Sequence, residues 1–137
     1  MLDAGTGSGI LAIAGSYLGA KKILAIDNDP IATSIARRNA RANGARNIEF
    51  RTGDVLKEKL AGRFELITAN LFSGILITVL PILSRHLARN GRLILSGVLR
   101  AQEPVLNHAL RRNGFAASEI RRRGKWIALL ASRSDGK

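Results

Sequence analysis

The stretch LDAGTGSGILAIA, Leu2 to Ala14, constrains this chain more than any other. Gly5, Gly7 and Gly9 alternate with small residues, behind a short apolar segment and ahead of a small, apolar run with helical spacing. A strand that turns into a helix through so bare a backbone does so where main-chain atoms approach a ligand at the carboxyl edge of a parallel sheet. The pattern asks for an α/β fold and for a ligand.

The rest of the chain keeps that rhythm. Apolar runs alternate with helical patterns, the signature of βαβ units. Met1 to Ala4 reads as the tail of a strand and Ile10 to Leu18 as the helix it feeds. KKILAID (Lys21 to Asp27) reads as a second strand, continuously apolar as a buried parallel strand is. Asp29 before Pro30 pairs a capping side chain with proline at the first helical position, and the helix runs to Asn43-Gly44. Arg46 to Arg51 and Phe64 to Asn70 are the third and fourth strands. A helix follows from about Ser73 to Ala88, with Pro81 predicting a kink or a restart. Asn90-Gly91 is expected to turn the chain into a fifth strand, Arg92 to Val98, and a helix around Pro104 to Arg112 ends at Asn113-Gly114. The remaining run breaks at Gly124 into two strands, an antiparallel hairpin.

At 137 residues the chain is one domain's worth, and its 46% hydrophobic content suits a folded globule. With no cysteine there is no disulfide framework, thiolate metal site or thiol catalysis, and no metal is expected. The longest apolar stretch, Gly74 to Leu83, falls far short of the ~20 residues of a membrane span, and a leader ahead of the glycines is not expected. A soluble, cytoplasmic chain without a membrane partner is the expectation. Twenty-two Lys and Arg against ten acids give +12, a balance that favours acidic partners, RNA first among them. The one basic concentration, Arg121 to Arg123 with Lys125, reads as a solvated strand face, and Trp126 beside it as packing.

The glycines match no phosphate motif. In G-x-G-x-x-G terms Gly5 and Gly7 fit, but position 10 is isoleucine, and no lysine stands where a P-loop needs one. Asp3, just ahead of the turn, would repel a pyrophosphate, yet it suits a ligand carrying an ammonium and a sulfonium. Asp27, at the end of the second strand, is placed to accept both hydroxyls of a ribose, and Asp54, beyond the third, to reach an exocyclic adenine amine. Ribose, adenine and a cationic amino acid together describe S-adenosylmethionine.

LDAGTGSGILAIA, AIDNDP, ITANL, GRLILSGVL followed by Gln102, NGF (Asn113 to Phe115) and GKWIALL (Gly124 to Leu130) together resemble the catalytic domain of the ribosomal protein L-eleven methyltransferases, the PrmA type. The resemblance covers nearly the whole chain. It implies a doubly wound, mostly parallel seven-stranded sheet of the class I S-adenosylmethionine-dependent methyltransferase type, with a C-terminal antiparallel hairpin and a truncated first strand. It implies a methyltransferase catalytic domain over residues 1–131 and a flexible tail over 132–137. Carried over residue by residue, it places Asp3, Gly5, Thr6, Gly7 and Gly9 around the methionine part of the cofactor, Asp27 on the ribose and Asn70 at the site of methyl transfer. The acceptors it implies are lysine side chains and the N-terminal amine of one large-subunit ribosomal protein. An asparagine at a strand end can take a hydrogen bond from the attacking amine, so that catalysis is largely positioning.

Two departures qualify the resemblance. NLF (Asn70 to Phe72) keeps the asparagine of the N-P-P-[YF] tetrad of many amino-methyltransferases but lacks both prolines and sets its aromatic one residue early; Phe72 is the candidate wall of an acceptor pocket. The family also carries a recognition domain ahead of the glycines, so a fragment is expected. His86 and His108 lie in helical segments and read as surface or capping residues rather than bases. The alternative readings are an RNA or small-molecule methyltransferase and a non-catalytic module that binds cofactor or RNA.

Overall fold

A computed structural model describes residues 1–134; the end of the expected tail, residues 135–137, lies outside the described residues. Where length suggests one domain, the chain divides into two compact units, Met1–Lys59 and Leu60–Lys137.

The first unit contains β1 (Leu2–Ala4), α1 (Ile10–Tyr17), β2 (Ile23–Asp27), α2 (Pro30–Ala42) and β3 (Ile48–Thr52). Its strands lie in the order β3-β2-β1, all parallel, with Asp3 opposite Ala25 and Asp27 opposite Thr52. Such pairing needs a crossover helix between successive strands, and each loop supplies its starting signal. Gly9 caps α1 with a left-handed φ of 83°, and the Asp29 carboxylate caps α2 by accepting the Ile31 N–H at 2.8 Å, with Pro30 next. An aspartate in that role contributes about 1 kcal/mol. The core is built of small side chains: Ala12, Ile23 and Ala25 form one cluster, and Ile13, Ala40 and Ala45 another. Alanines let the helices lie close to the sheet.

The second unit contains β4 (Phe64–Asn70), α3 (Ser73–His86), β5 (Leu87–Leu99), a 3₁₀ turn (Arg100–Gln102), α4 (Glu103–Arg112), β6 (Phe115–Arg123) and β7 (Trp126–Arg133). Its order is β4-β5-β7-β6, parallel between β4 and β5 and antiparallel beyond. Leu76, Leu80 and Leu83 of α3, Leu106 and Leu110 of α4, Phe115, and Leu93 and Leu95 of β5 are fully buried. At roughly 1.5–3 kcal/mol for each fully buried side chain of this size, they dominate the stability of the unit.

Four expectations change. The Asn90-Gly91 turn does not separate helix from strand: α3 ends at His86 and β5 begins at Leu87. The register passes from Phe64↔Leu87 directly to Leu66↔Arg92, so β5 absorbs the dipeptide as an irregularity opposite β4. Pro81 neither stops nor restarts α3, which runs from Ser73 to His86 through this exposed residue. The third strand starts at Ile48 rather than Arg46, and β7 continues through Ser132 and Arg133, the first residues of the expected tail. The hairpin breaks at Gly124 as expected. Among the described residues no helix is long and apolar enough to cross a membrane.

α4 is tied to β6 by Arg122, whose Nε donates to Glu103 Oε2 at 2.9 Å while its Nη2 donates to Oε1. These bonds hold the Glu103 carboxyl below the ordinary carboxylate range. A depressed carboxyl contributes stability that is present above its unfolded pKa and lost as pH falls through the folded one. Glu103→Gln is therefore expected to lower the urea midpoint at neutral pH, and the two curves are expected to converge below the ordinary carboxylate range; a difference that persists in acid contradicts the ion pair as its cause.

Candidate functional site

In the first unit the glycine loop is built from positive-φ backbone at Gly5 (74°), Gly7 (54°) and Gly9 (83°). Gly9 also needs its bareness for packing, since a Cβ there would stand 3.0 Å from Ala36 Cβ. Gly7 has the opposite reason: a Cβ would meet nothing within 4 Å, so the backbone borders open space.

The loop's amides are spent internally. Gly5 and Thr6 N–H both donate to the Ile26 carbonyl at 2.8 and 3.0 Å, and Gly9 N–H donates to the Thr6 carbonyl at 2.9 Å. Gly7 N–H donates to Asp27 Oδ2 at 2.8 Å. A phosphate-binding loop works by aiming several such N–H groups at the anion. Here four of them are already bonded within the protein.

Asp3 is fully buried, and its Oδ2 accepts the Thr6 hydroxyl at 2.7 Å. A buried carboxylate must be hydrogen-bonded, and this one pins the loop from beneath. Asp27 is half-buried at the end of β2 and bonds on both oxygens: Oδ2 takes Gly7 N–H, and Oδ1 takes Asp29 N–H at 3.0 Å. An ionised carboxylate has about four acceptor positions, so capacity for two hydroxyl donors remains. Asp54 heads a turn after β3, with Oδ1 accepting Leu56 N–H at 2.9 Å and its carbonyl accepting from Lys57 and Glu58.

In the second unit Asn70 is the exposed last residue of β4, opposite Ser96 of β5. It lines a cleft of ≈ 410 Å³ with Ser96, Gly97, Arg121, Arg123 and Trp126. Gly97 is the residue that sequence reasoning missed. Its φ is 82°, and a Cβ there would stand 2.6 Å from Asn70 Oδ1 and 3.0 Å from the Leu71 carbonyl. The register of β5 on β7 slips between Leu95 and Val98, which places Ser96-Gly97 in a bulge. A glycine inside the apolar strand pattern LILSGVL was the available signal.

Trp126 is 42% exposed on the same cleft, with Lys125 Nζ 5.4 Å from its ring centroid. Its surroundings are those of a site wall rather than of core or edge packing. Phe72 is 73% exposed at the N-cap of α3 and is not among the residues lining this cleft. His86 Nδ1 lies 2.9 Å from the Gly62 carbonyl and His108 is exposed, consistent with capping and surface positions. Among the described residues no group of three or more His, Asp or Glu side chains could hold a metal ion.

A family model described as Ribosomal protein L11 methyltransferase (PrmA) matches residues 1–134. The ribosomal protein L11 methyltransferase of Lactobacillus johnsonii is 41% identical over 133 residues, 97% of this chain and 42% of that protein. The crystal structure of ribosomal protein L11 methylase from Lactobacillus delbrueckii subsp. bulgaricus is similar at a TM-score of 0.93 and 41% identity, over 97% of this chain and 69% of that one. Magnesium protoporphyrin IX methyltransferase (ChlM) from Synechocystis PCC 6803, with bound SAM, is similar at a TM-score of 0.79 and 23% identity, over 97% of this chain and 69% of that one. That last likeness is one of fold: the seven-stranded, mostly parallel class I methyltransferase fold with its antiparallel C-terminal hairpin. The chain spans 42% of the length of the first curated relatives it matches.

The two glycines separate ligand approach from packing. Gly97→Ala is expected to cost about 2–4 kcal/mol, from the positive φ and the collision with Asn70 together. Gly7→Ala, with only the positive φ against it, is expected to cost about 1–2 kcal/mol. Urea midpoints measure both, and equal losses would contradict the assignment of Gly97 to the seating of Asn70.

Proposed function

Because the chain belongs to the ribosomal protein L11 methyltransferase (PrmA) family, we propose that it is the cofactor-binding and catalytic part of an S-adenosylmethionine-dependent N-methyltransferase. Its acceptors are the lysine side chains and N-terminal amine of a large-subunit ribosomal protein, and its place is the cytoplasm. The observation that carries this reading is the internal use of the N–H groups of Gly5, Thr6, Gly7 and Gly9. A glycine turn that keeps these amides for itself is poorly suited to a pyrophosphate and well suited to a donor whose reacting end is cationic.

The residues present fit that cofactor. The open backbone at Gly7 admits a ligand, the Asp27 carboxylate retains acceptor capacity for the ribose hydroxyls, and Asp54 accepts from the adenine amine. Thr6, fixed by Asp3, holds the loop around the methionine part with Gly5 and Gly9. When bound, the cofactor supplies a methyl group made electrophilic by a sulfonium.

The acceptor amine must present a lone pair, and a free lysine with a pKa of ~10.4 is protonated at neutral pH. The cleft beside Asn70 favours the neutral form in two ways. Trp126, Ile127, Ala128 and Gly97 give it an apolar lining, which disfavours a buried ammonium, and the Arg123 guanidinium adds like charge, whereas Arg121 is paired with Glu119. The side-chain carbonyl of Asn70 accepts an N–H of the amine and fixes its direction. Phe72, exposed at the start of α3, lies outside the lining of this cleft, so the wall expected of it is supplied by Trp126.

Asn70→Ala is expected to lower kcat by roughly a hundredfold, the effect of losing one positioned hydrogen bond in a transition state, with S-adenosylhomocysteine affinity within about twofold of wild type. Asp27→Ala is expected to weaken that ligand by roughly ten- to a hundredfold, the scale of a hydrogen bond to a charged group. Calorimetry and single-turnover transfer to the free ribosomal protein read the two effects; the reverse pattern would overturn the roles.

A further inference from the structure

We propose that the arginine pocket between α2 and β3 binds the phosphates of a single-stranded nucleic acid. Arg37, Arg41 and Arg46 line a pocket of ≈ 440 Å³ whose remaining wall is Ala40, Ala45, Ile48 and Phe50. The pocket belongs wholly to the first unit and contains none of the residues assigned to the methyl donor or to its acceptor.

The three guanidinium groups are brought together by local structure. Arg37 and Arg41 are four apart on α2 and so share one helix face, and Arg46 enters from the loop after Gly44. Like charges at that helical spacing destabilise by a few tenths of a kcal/mol. The protein does not neutralise them: the ion pairs within 4.0 Å among the described residues belong to Arg51, Arg121 and Arg122. Arg37 is anchored instead by a carbonyl, donating from Nη2 to Phe50 O at 3.0 Å, which fixes one guanidinium at the pocket wall.

The ligand follows from these groups. Guanidinium forks match the paired oxygens of a phosphate, and here three of them converge without a carboxylate to compete. Phe50 and Ile48, packed on the core of the unit and half-buried, leave a narrow apolar edge with one aromatic ring beside the arginines, against which a base can pack. A base is free to meet such an edge only when its strand is unpaired. An acidic peptide would use the arginines but leave the edge without a partner.

The test is fluorescence anisotropy of a labelled twelve-nucleotide oligouridylate on the full chain, with no cofactor present. This makes its outcome independent of the methyltransferase reading. Arg41→Gln/Arg46→Gln, which leaves the anchored Arg37 in place, is compared with Arg111→Gln/Arg112→Gln, an equal loss of charge on exposed residues of α4. The pocket variant is expected to bind about tenfold more weakly and to flatten the salt dependence by about 1.4 in the log–log slope, at ~0.7 for each phosphate no longer neutralised. The α4 variant is expected to change affinity less than threefold. Circular dichroism melting verifies that each variant is folded. Equal losses in both variants would reduce the effect to net charge and overturn the proposal. Unchanged binding in the pocket variant would do the same, as would displacement of the RNA by an equal concentration of polyglutamate or binding of inorganic phosphate without binding of RNA.

Discussion

The bonds of Asp27 hold together the methyl-donor site proposed for the first unit. One oxygen takes the Gly7 N–H at 2.8 Å and the other the Asp29 N–H at 3.0 Å, so a single carboxylate ties the glycine loop to the residue that caps α2. The Asp27 carbonyl extends the tie to β3 by accepting the Gly53 N–H at 2.9 Å. Three strand ends are thereby fixed relative to one another without a side chain entering the open space at Gly7. The charge that would greet a ribose is the same charge that shapes the loop, so binding and local architecture are not separable at this residue.

The second unit solves a different problem with a similar economy of atoms. Asn70 stands exposed at the end of β4, its side-chain oxygen close over the backbone of Gly97. Gly97 makes this feasible by removing the one atom that would strike its side-chain oxygen, and the bulge at Ser96-Gly97 puts the bare backbone at that height. Trp126 and Arg123 line the same cleft, and in the proposed reading they favour an uncharged amine over an ammonium there.

Much of this was legible in the sequence. The loop glycines, Asp27 at a strand end, the Asp29-Pro30 helix start and the break at Gly124 are local signals, each set by backbone sterics or by a hydrogen bond within a few residues. The family was legible through motif resemblance. What the sequence concealed depends on pairing between distant segments. The Asn90-Gly91 dipeptide reads as a turn, but the register between β4 and β5 folds it into a strand. Gly97 looks like a weak point in a strand until Asn70 is placed opposite, and Trp126 looks like packing until the cleft forms. Asp3 reads as a ligand-facing charge, whereas burial turns it toward Thr6. Arg37, Arg41 and Arg46 look dispersed along the chain; only the packing of α2 on β3 gathers them.

The central claim is that the glycine loop and Asp27 receive a ribose-bearing cationic donor rather than a pyrophosphate. Backbone amide NMR of the ¹⁵N-labelled chain, titrated in parallel with S-adenosylhomocysteine, NAD and ATP, tests it most directly. The account requires S-adenosylhomocysteine to shift the amides of residues 5–9 and 27–29 saturably, with the two phosphate-bearing ligands leaving them in place. Saturable shifts of those amides by NAD or ATP, with none from S-adenosylhomocysteine, would contradict it.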